Sequence, residues 1–178
     1  MNVDVRVQTA DFSVGGEFDG LRQRLGGQMG AAASFVGLVR GRGGDPQGSE
    51  VGSEVQSAEQ SAVRGEDGAA EVATLTLEHY PGMTERSIEK IVQDAGARWP
   101  LDDVVVIHRV GELPVGDQIV FVQVASRHRD SAFAACEMIM DYLKTNAVFW
   151  KREATARGSH WVESTVNDRD RAKGWEGG

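Results

Sequence analysis

A single cysteine, Cys136, stands in 178 residues, so no disulfide can close within the chain and no thiolate cluster can hold a metal. No apolar run approaches the roughly 18 residues that a membrane-crossing helix needs. The opening MNVDVRVQTADF lacks the basic-then-apolar order of a secretory leader. These absences lead to the expectation of a cytoplasmic protein with no membrane contact. Basic residues are in deficit, 19 Lys and Arg against 27 Asp and Glu, for a net charge of −8. A general nucleic-acid binder needs a basic face to neutralise phosphates, and that class is excluded. The glycine signatures of dinucleotide and P-loop sites are missing, as is the GxSxG nucleophile elbow. His79, His108, His128 and His160 lack the spacing of metal ligands, so no metal or cofactor is expected.

What is present is enough for a real core: 40% of the residues are hydrophobic. The length fits one domain over residues 1–166, followed by a polar, Gly-terminated tail at 167–178 that reads as frayed. Acidity is concentrated. Between Gly41 and Glu71 seven acids face two bases, a net −5, which leaves only −3 for everything else. Residues 43–70 hold no aromatic side chain and no sustained periodicity, and they read as a mobile acidic insertion between two strands.

Periodicity supplies the elements. Val3, Val5 and Val7 alternate with polar neighbours across Asn2–Gln8, a half-buried strand, and 17–25 reads as a short helix ending at Gly26-Gly27. The small and β-branched run 30–40 reads as a buried strand whose glycines allow close backbone approach. A strand is expected at 72–79. Ile88, Ile91, Val92, Ala95 and Trp99 then form one stripe of a helix over 84–99, with Thr84 as N-cap and Pro100 as its stop. Runs 104–110 and 118–125 read as a hairpin joined by GELPVGD. Asp130 or Ser131 should cap a second helix that buries Ala132, Phe133, Cys136, Ile139, Met140 and Leu143, and short strands follow at 149–151 and 160–163. Strands and helices do not alternate strictly, so the class is α+β, with a mostly antiparallel sheet and two main packed helices.

Candidate chemistry lies in a few cations. SRHR at 126–129 joins a strand to a helix start, where backbone N–H groups and the helix dipole favour an anion, although a solvated loop would carry the same residues. Lys144 ends that helix, where a cation also simply complements the dipole. Lys151 follows Phe149 and Trp150, a setting that suits a base or nucleophile but equally a lysine snorkelling from a strand edge. Arg40 closes a strand at the mouth of the insertion and could be an edge charge. His108-Arg109 ends a strand without a helix after it and reads as structural, and Cys136 reads as a buried hydrophobe.

Six blocks together carry a resemblance. FVGLVR (35–40), LEHYPGMTE (77–85), IHRVGELPVGD (107–117), SRHRDSAF (126–133), MDYLKTNAVFWKRE (140–153) and HWVE (160–163) resemble the molybdopterin synthase large-subunit family, in order and across nearly the whole chain. Two departures stand out: Val148 replaces the family's proline before FWK, and the 43–70 insertion is longer than the family's loop. The resemblance implies an α/β-hammerhead fold and a homodimer that binds a small ubiquitin-like sulfur-carrier subunit at each end, a heterotetramer in all. It implies a sulfurtransferase acting in molybdenum cofactor biosynthesis. Two sulfurs would pass from the carrier's C-terminal glycine thiocarboxylate to cyclic pyranopterin monophosphate, making the dithiolene of molybdopterin.

By position, Arg40, His128 and Arg129 would share the phosphate and pterin, with Leu38 and Val39 giving backbone contacts. Lys144 would meet the thiocarboxylate and Lys151 would assist proton transfer, with Arg152 and Glu153 lining the same site. A different class remains open: a non-catalytic module that anchors a ubiquitin-like tail on its lysines. A tail-binder needs one cation, whereas Lys144, Lys151 and His128-Arg129 together can hold a second, phosphate-bearing ligand. A phosphosugar or nucleotide hydrolase would need a carboxylate or metal centre that the spacing does not supply.

Overall fold

The computed structural model describes residues 1–41, 72–147, 149–155, 158–162 and 166–175, with the backbone alone at 72, 73, 153–155, 158–162, 166 and 167. The expectations for residues 43–70, Val148 and Glu163 therefore lie outside the described residues.

Among the described residues, eight strands form two sheets rather than one, accompanied by four α-helices. The first has the order β1(Asn2–Gln8)–β4(Leu101–Arg109)–β6(Gln118–Ser126)–β2(Ala31–Leu38). Its β1–β4 pair is parallel and the others antiparallel. The near-continuous apolar runs of β4 and β6 place them centrally, covered on both faces. On one face Val104, Val106, Val120, Val122 and Val124 meet α2(Met83–Arg98) and α3(Arg129–Thr145) in the main core. On the other face Phe12, Val105, Ile107 and Phe121 cluster beside the chain leading into α1(Val14–Leu25).

The second sheet, order β5(Gly111–Pro114)–β3(Val72–His79)–β7(Phe149–Thr155)–β8(Gly158–Val162), is antiparallel throughout. The GELPVGD connection is thus no plain loop. It carries β5, whose Pro114 suits a strand at the end of the order, and it turns at Gly116 with φ +90°. A small core of Val39, Leu75, Leu77 and Leu113 lies with this sheet.

Local chemistry departs from expectation at several ends. Helix α2 is capped by Gly82, whose N–H donates to the Glu85 carboxylate at 2.6 Å, while Thr84 is wholly buried inside the helix and accepts from the Tyr80 N–H at 3.1 Å. Helix α3 starts after His128, not Asp130 or Ser131, and Phe133 is 65% exposed because it faces away from the sheet. Strand β2 ends the order of the first sheet, so of its side chains Ala33 alone is buried. Its glycines do mark close approach: a Cβ on Gly30 would stand 2.1 Å from the Arg127 carbonyl oxygen. The described part of the tail departs from the frayed end expected. Residues Val166–Gly174 form α4, where Ala172 is buried and Trp175 packs edge-on against Trp99 at 5.8 Å, apolar anchors that a count of polar residues conceals.

Candidate functional site

The register of β2 against β6 decides which cations can meet. Ala31 lies opposite Ser126 and Leu38 opposite Gln118. Arg40 follows β2 at its far end, whereas His128 and Arg129 follow β6 beside the start of β2. Seven strand steps separate the two ends, roughly 23 Å at about 3.3 Å per residue. Within one chain, then, Arg40, His128 and Arg129 do not converge, and the expectation of one shared anion site among them is corrected.

A different grouping takes its place. Helix α3 leaves β6 after two residues and packs back over β6 and β2, so its 17 residues, about 25 Å, return Lys144 to the Arg40 end. Strand β7 begins at that same end. The Phe149 ring stacks on His108 at 3.9 Å and 21°, and His108 pairs with Val120 near the start of β6. Lys151 follows two residues later on the Phe149 side of β7, opposite Leu77 and Val162, while Trp150 and Arg152 point the other way. Lys151 and Arg152 are half-buried, and Glu153 is placed by its backbone opposite Leu75.

Lys144 is 54% exposed and donates to Asp168 on α4 at 3.2 Å, a partner that no local spacing announces. Leu38 is 53% exposed, but Val39 is buried. The Val39 N–H donates to the Asp117 carbonyl and its carbonyl accepts from the Gly116 N–H, both at 2.9 Å. The Val39 N–H is therefore already committed to the fold, while its carbonyl oxygen keeps a second lone pair.

The other end is an open helix start. His128 is the N-cap residue of α3, its side chain does not cap the helix, and its own N–H donates to the Ser126 hydroxyl at 3.3 Å. Arg129 is 83% exposed, with its Nε 3.6 Å from Asp130. An anion arriving there would find a guanidinium, an imidazole and the positive end of the helix dipole.

His108 and Arg109 are structural, as expected. Arg109 donates to the Gln118 carbonyl at 2.9 Å and to Asp117 at 3.2 Å, tying the start of β6 to β4. Burial lowers the His108 pKa from 6.5 to about 4, and its Nδ1–H donates to the Arg109 carbonyl at 2.9 Å. The native chain thus holds His108 neutral where the unfolded chain would bind a proton. Stability contributed by this group is complete above pH 6.5 and is lost as pH falls from 6.5 to about 4, by about 3 kcal/mol. Denaturant titrations at pH 7 and pH 4.5 should show this loss, and His108→Gln should flatten the difference; an equal slope in the variant would refute it. Burial also pushes the Cys136 thiol up to about 11, which makes it an inert core group.

The structure is an α+β protein with lysines and an arginine toward one end of a sheet and a His-Arg helix start toward the other, charges of the sign that an anionic ligand needs. Its relatives narrow the reading. The model of the "MoaE protein" family matches residues 59–146. A Vibrio cholerae protein named molybdopterin synthase catalytic subunit is 46% identical over 177 residues, covering 99% of this chain and all of its own. The solved molybdopterin biosynthesis MoaE protein of Burkholderia ambifaria is 42% identical, with a TM-score of 0.71 over 99% of both chains. A chain in the complex of subunits 1 and 2 of molybdopterin-converting factor from Helicobacter pylori shares the fold, with a TM-score of 0.62 over 89% of both chains at 14% identity. This chain belongs to the MoaE family.

Proposed function

We propose that this chain is the catalytic large subunit of molybdopterin synthase. It acts as a cytoplasmic sulfurtransferase, taking sulfur from the thiocarboxylated C-terminus of a small ubiquitin-like subunit and adding it to cyclic pyranopterin monophosphate. Full-length likeness to the Vibrio cholerae catalytic subunit carries the reading. The assembly of two subunits named for the Helicobacter pylori complex supports the small partner. No described helix is long and apolar enough to cross a membrane.

The roles divide by position. Lys144 meets the thiocarboxylate and Lys151 supplies a proton to the departing oxygen, while Arg40 attracts the cyclic phosphate and exposed Leu38 borders the site. Arg152 and Glu153 line it from β7. His128 and Arg129 are too distant to serve that site within their own chain, so they serve it across the homodimer, each copy completing the other's pocket. In a two-fold dimer this gives two identical composite sites. The domain runs past the boundary expected at residue 166 to take in α4, with 43–70 as an acidic insertion.

Reconstitution tests the reading. Incubation with the thiocarboxylated small subunit and the cyclic pterin should yield molybdopterin, and a small subunit ending in an ordinary carboxylate should yield none. Tight binding of the carrier without product would overturn the catalytic reading and favour a tail-binding module.

A further inference from the structure

We propose that Asp168 is a positioning residue for Lys144, held beside it by the docking of α4; the inference rests on the role of Lys144 proposed above. The Asp168 carboxylate takes a hydrogen bond from the Lys144 Nζ at 3.2 Å and is mostly buried, at 19% exposure, whereas the lysine is 54% exposed. The more fixed member of the pair is thus the acid. A lysine on four flexible bonds samples many positions, and ordering it costs side-chain entropy. A carboxylate fixed on a separate element narrows those positions. It takes one of the three ammonium donors and leaves two for a ligand.

Helix α4 has little reason to exist except as a docked element. Its nine residues, VNDRDRAKG, are polar and too short to be stable alone in water. Several contacts among the described residues hold it. Ala172 is buried, and the Trp175 indole Nε1–H donates to the Asp141 carboxylate on α3 at 2.9 Å. The Trp175 ring also packs edge-on against Trp99, just beyond the end of α2. Arg171 adds a looser ion pair with Glu137 at 3.6 Å. Asp141 lies one turn before Lys144, so the indole contact and the Asp168 contact fall on neighbouring turns of α3. Docking by Trp175 therefore sets where Asp168 stands, and Asp168 sets where the ammonium stands.

With its lysine more than half open to solvent, this ion pair contributes little to folding. That separates positioning from mere stability. In the reconstituted two-subunit enzyme, Asp168→Asn should lower kcat about tenfold through misplacement of a reacting group. The KM for the carrier subunit and the melting temperature should hardly change, and Asp168→Glu should recover part of the loss. Trp175→Ala should lower kcat similarly, and the double variant Asp168→Asn/Trp175→Ala should be no worse than the poorer single variant, because both act through one contact. In a Lys144→Ala background, Asp168→Asn should cost nothing further. Normal kcat in Asp168→Asn beside an inactive Lys144→Ala would overturn the positioning role and leave the lysine assignment standing. An additional tenfold loss in the Lys144→Ala background would also overturn it, since Asp168 would then act elsewhere. A fully active Lys144→Ala would remove the underlying assignment itself.

Discussion

Turnover of the reconstituted enzyme should fall by about 100-fold or more when either Lys144 or Lys151 is replaced by alanine, the usual scale for losing an acid–base or charge-stabilising group. Both lysines lie at the end of the first sheet where Phe149 stacks on His108, yet they come from different elements, α3 and β7. Neither belongs to the buried core, so circular dichroism and the melting temperature should stay close to wild type. Lys144→Arg and Lys151→Arg separate charge from geometry: a bulky guanidinium keeps the charge but cannot give up its proton near neutral pH. Arginine should therefore rescue position 144 better than position 151. Near wild-type turnover in both alanine variants would remove the lysines from the reaction.

Loss of Arg40 or Arg129 should be equally visible, and combining the two losses in different copies should partly repair them. Each arginine contributes a charged hydrogen bond to an anionic ligand, about 1.5–3 kcal/mol, so each single variant should bind the pterin about 10- to 150-fold more weakly. The register of β2 on β6 puts these residues at opposite ends of one chain. If a site takes Arg40 from one copy and Arg129 from the other, a heterodimer of Arg40→Ala with Arg129→Ala contains one intact site and one doubly damaged site. Differentially tagged subunits, co-expressed and purified as the heterodimer, should then show about half of wild-type activity at low pterin concentration. Activity no higher than that of the two homodimers would mean that the arginines do not share a site across the dimer.

Much of this was legible from local patterns. The alternation of Val3, Val5 and Val7, the stripe from Ile88 to Ala95 and the apolar runs of β4 and β6 all reflect one-dimensional periods of burial, and strands and helices appear where those periods fall. The inert states of Cys136 and the structural role of His108-Arg109 followed from neighbours in sequence. Cap positions were less legible. Gly82 and Glu85 outcompeted Thr84 because a backbone turn at positive φ, not a hydroxyl, set the helix start. The exposure of Phe133 and β2 depended on which face and which edge the sheet left uncovered, and that is a property of packing order.

The candidate site divides along the same line. Residue types offered Arg40, His128, Arg129, Lys144 and Lys151 only as candidates, each equally readable as an ordinary surface or edge charge, and it was the family's motif order that tied them to a phosphate, a thiocarboxylate and one reaction. Their grouping was beyond such reasoning. Antiparallel pairing of β2 with β6 sends Arg40 to one end and His128 to the other, while the direction of α3 and the start of β7 put Lys144 and Lys151 toward the Arg40 end. The polar tail likewise gained a role only when the buried faces of Ala172 and Trp175 found α3 and Trp99. Chemistry is written in side chains and can be read one residue at a time. Proximity arises from strand register and helix direction, which depend on contacts between segments far apart in the chain.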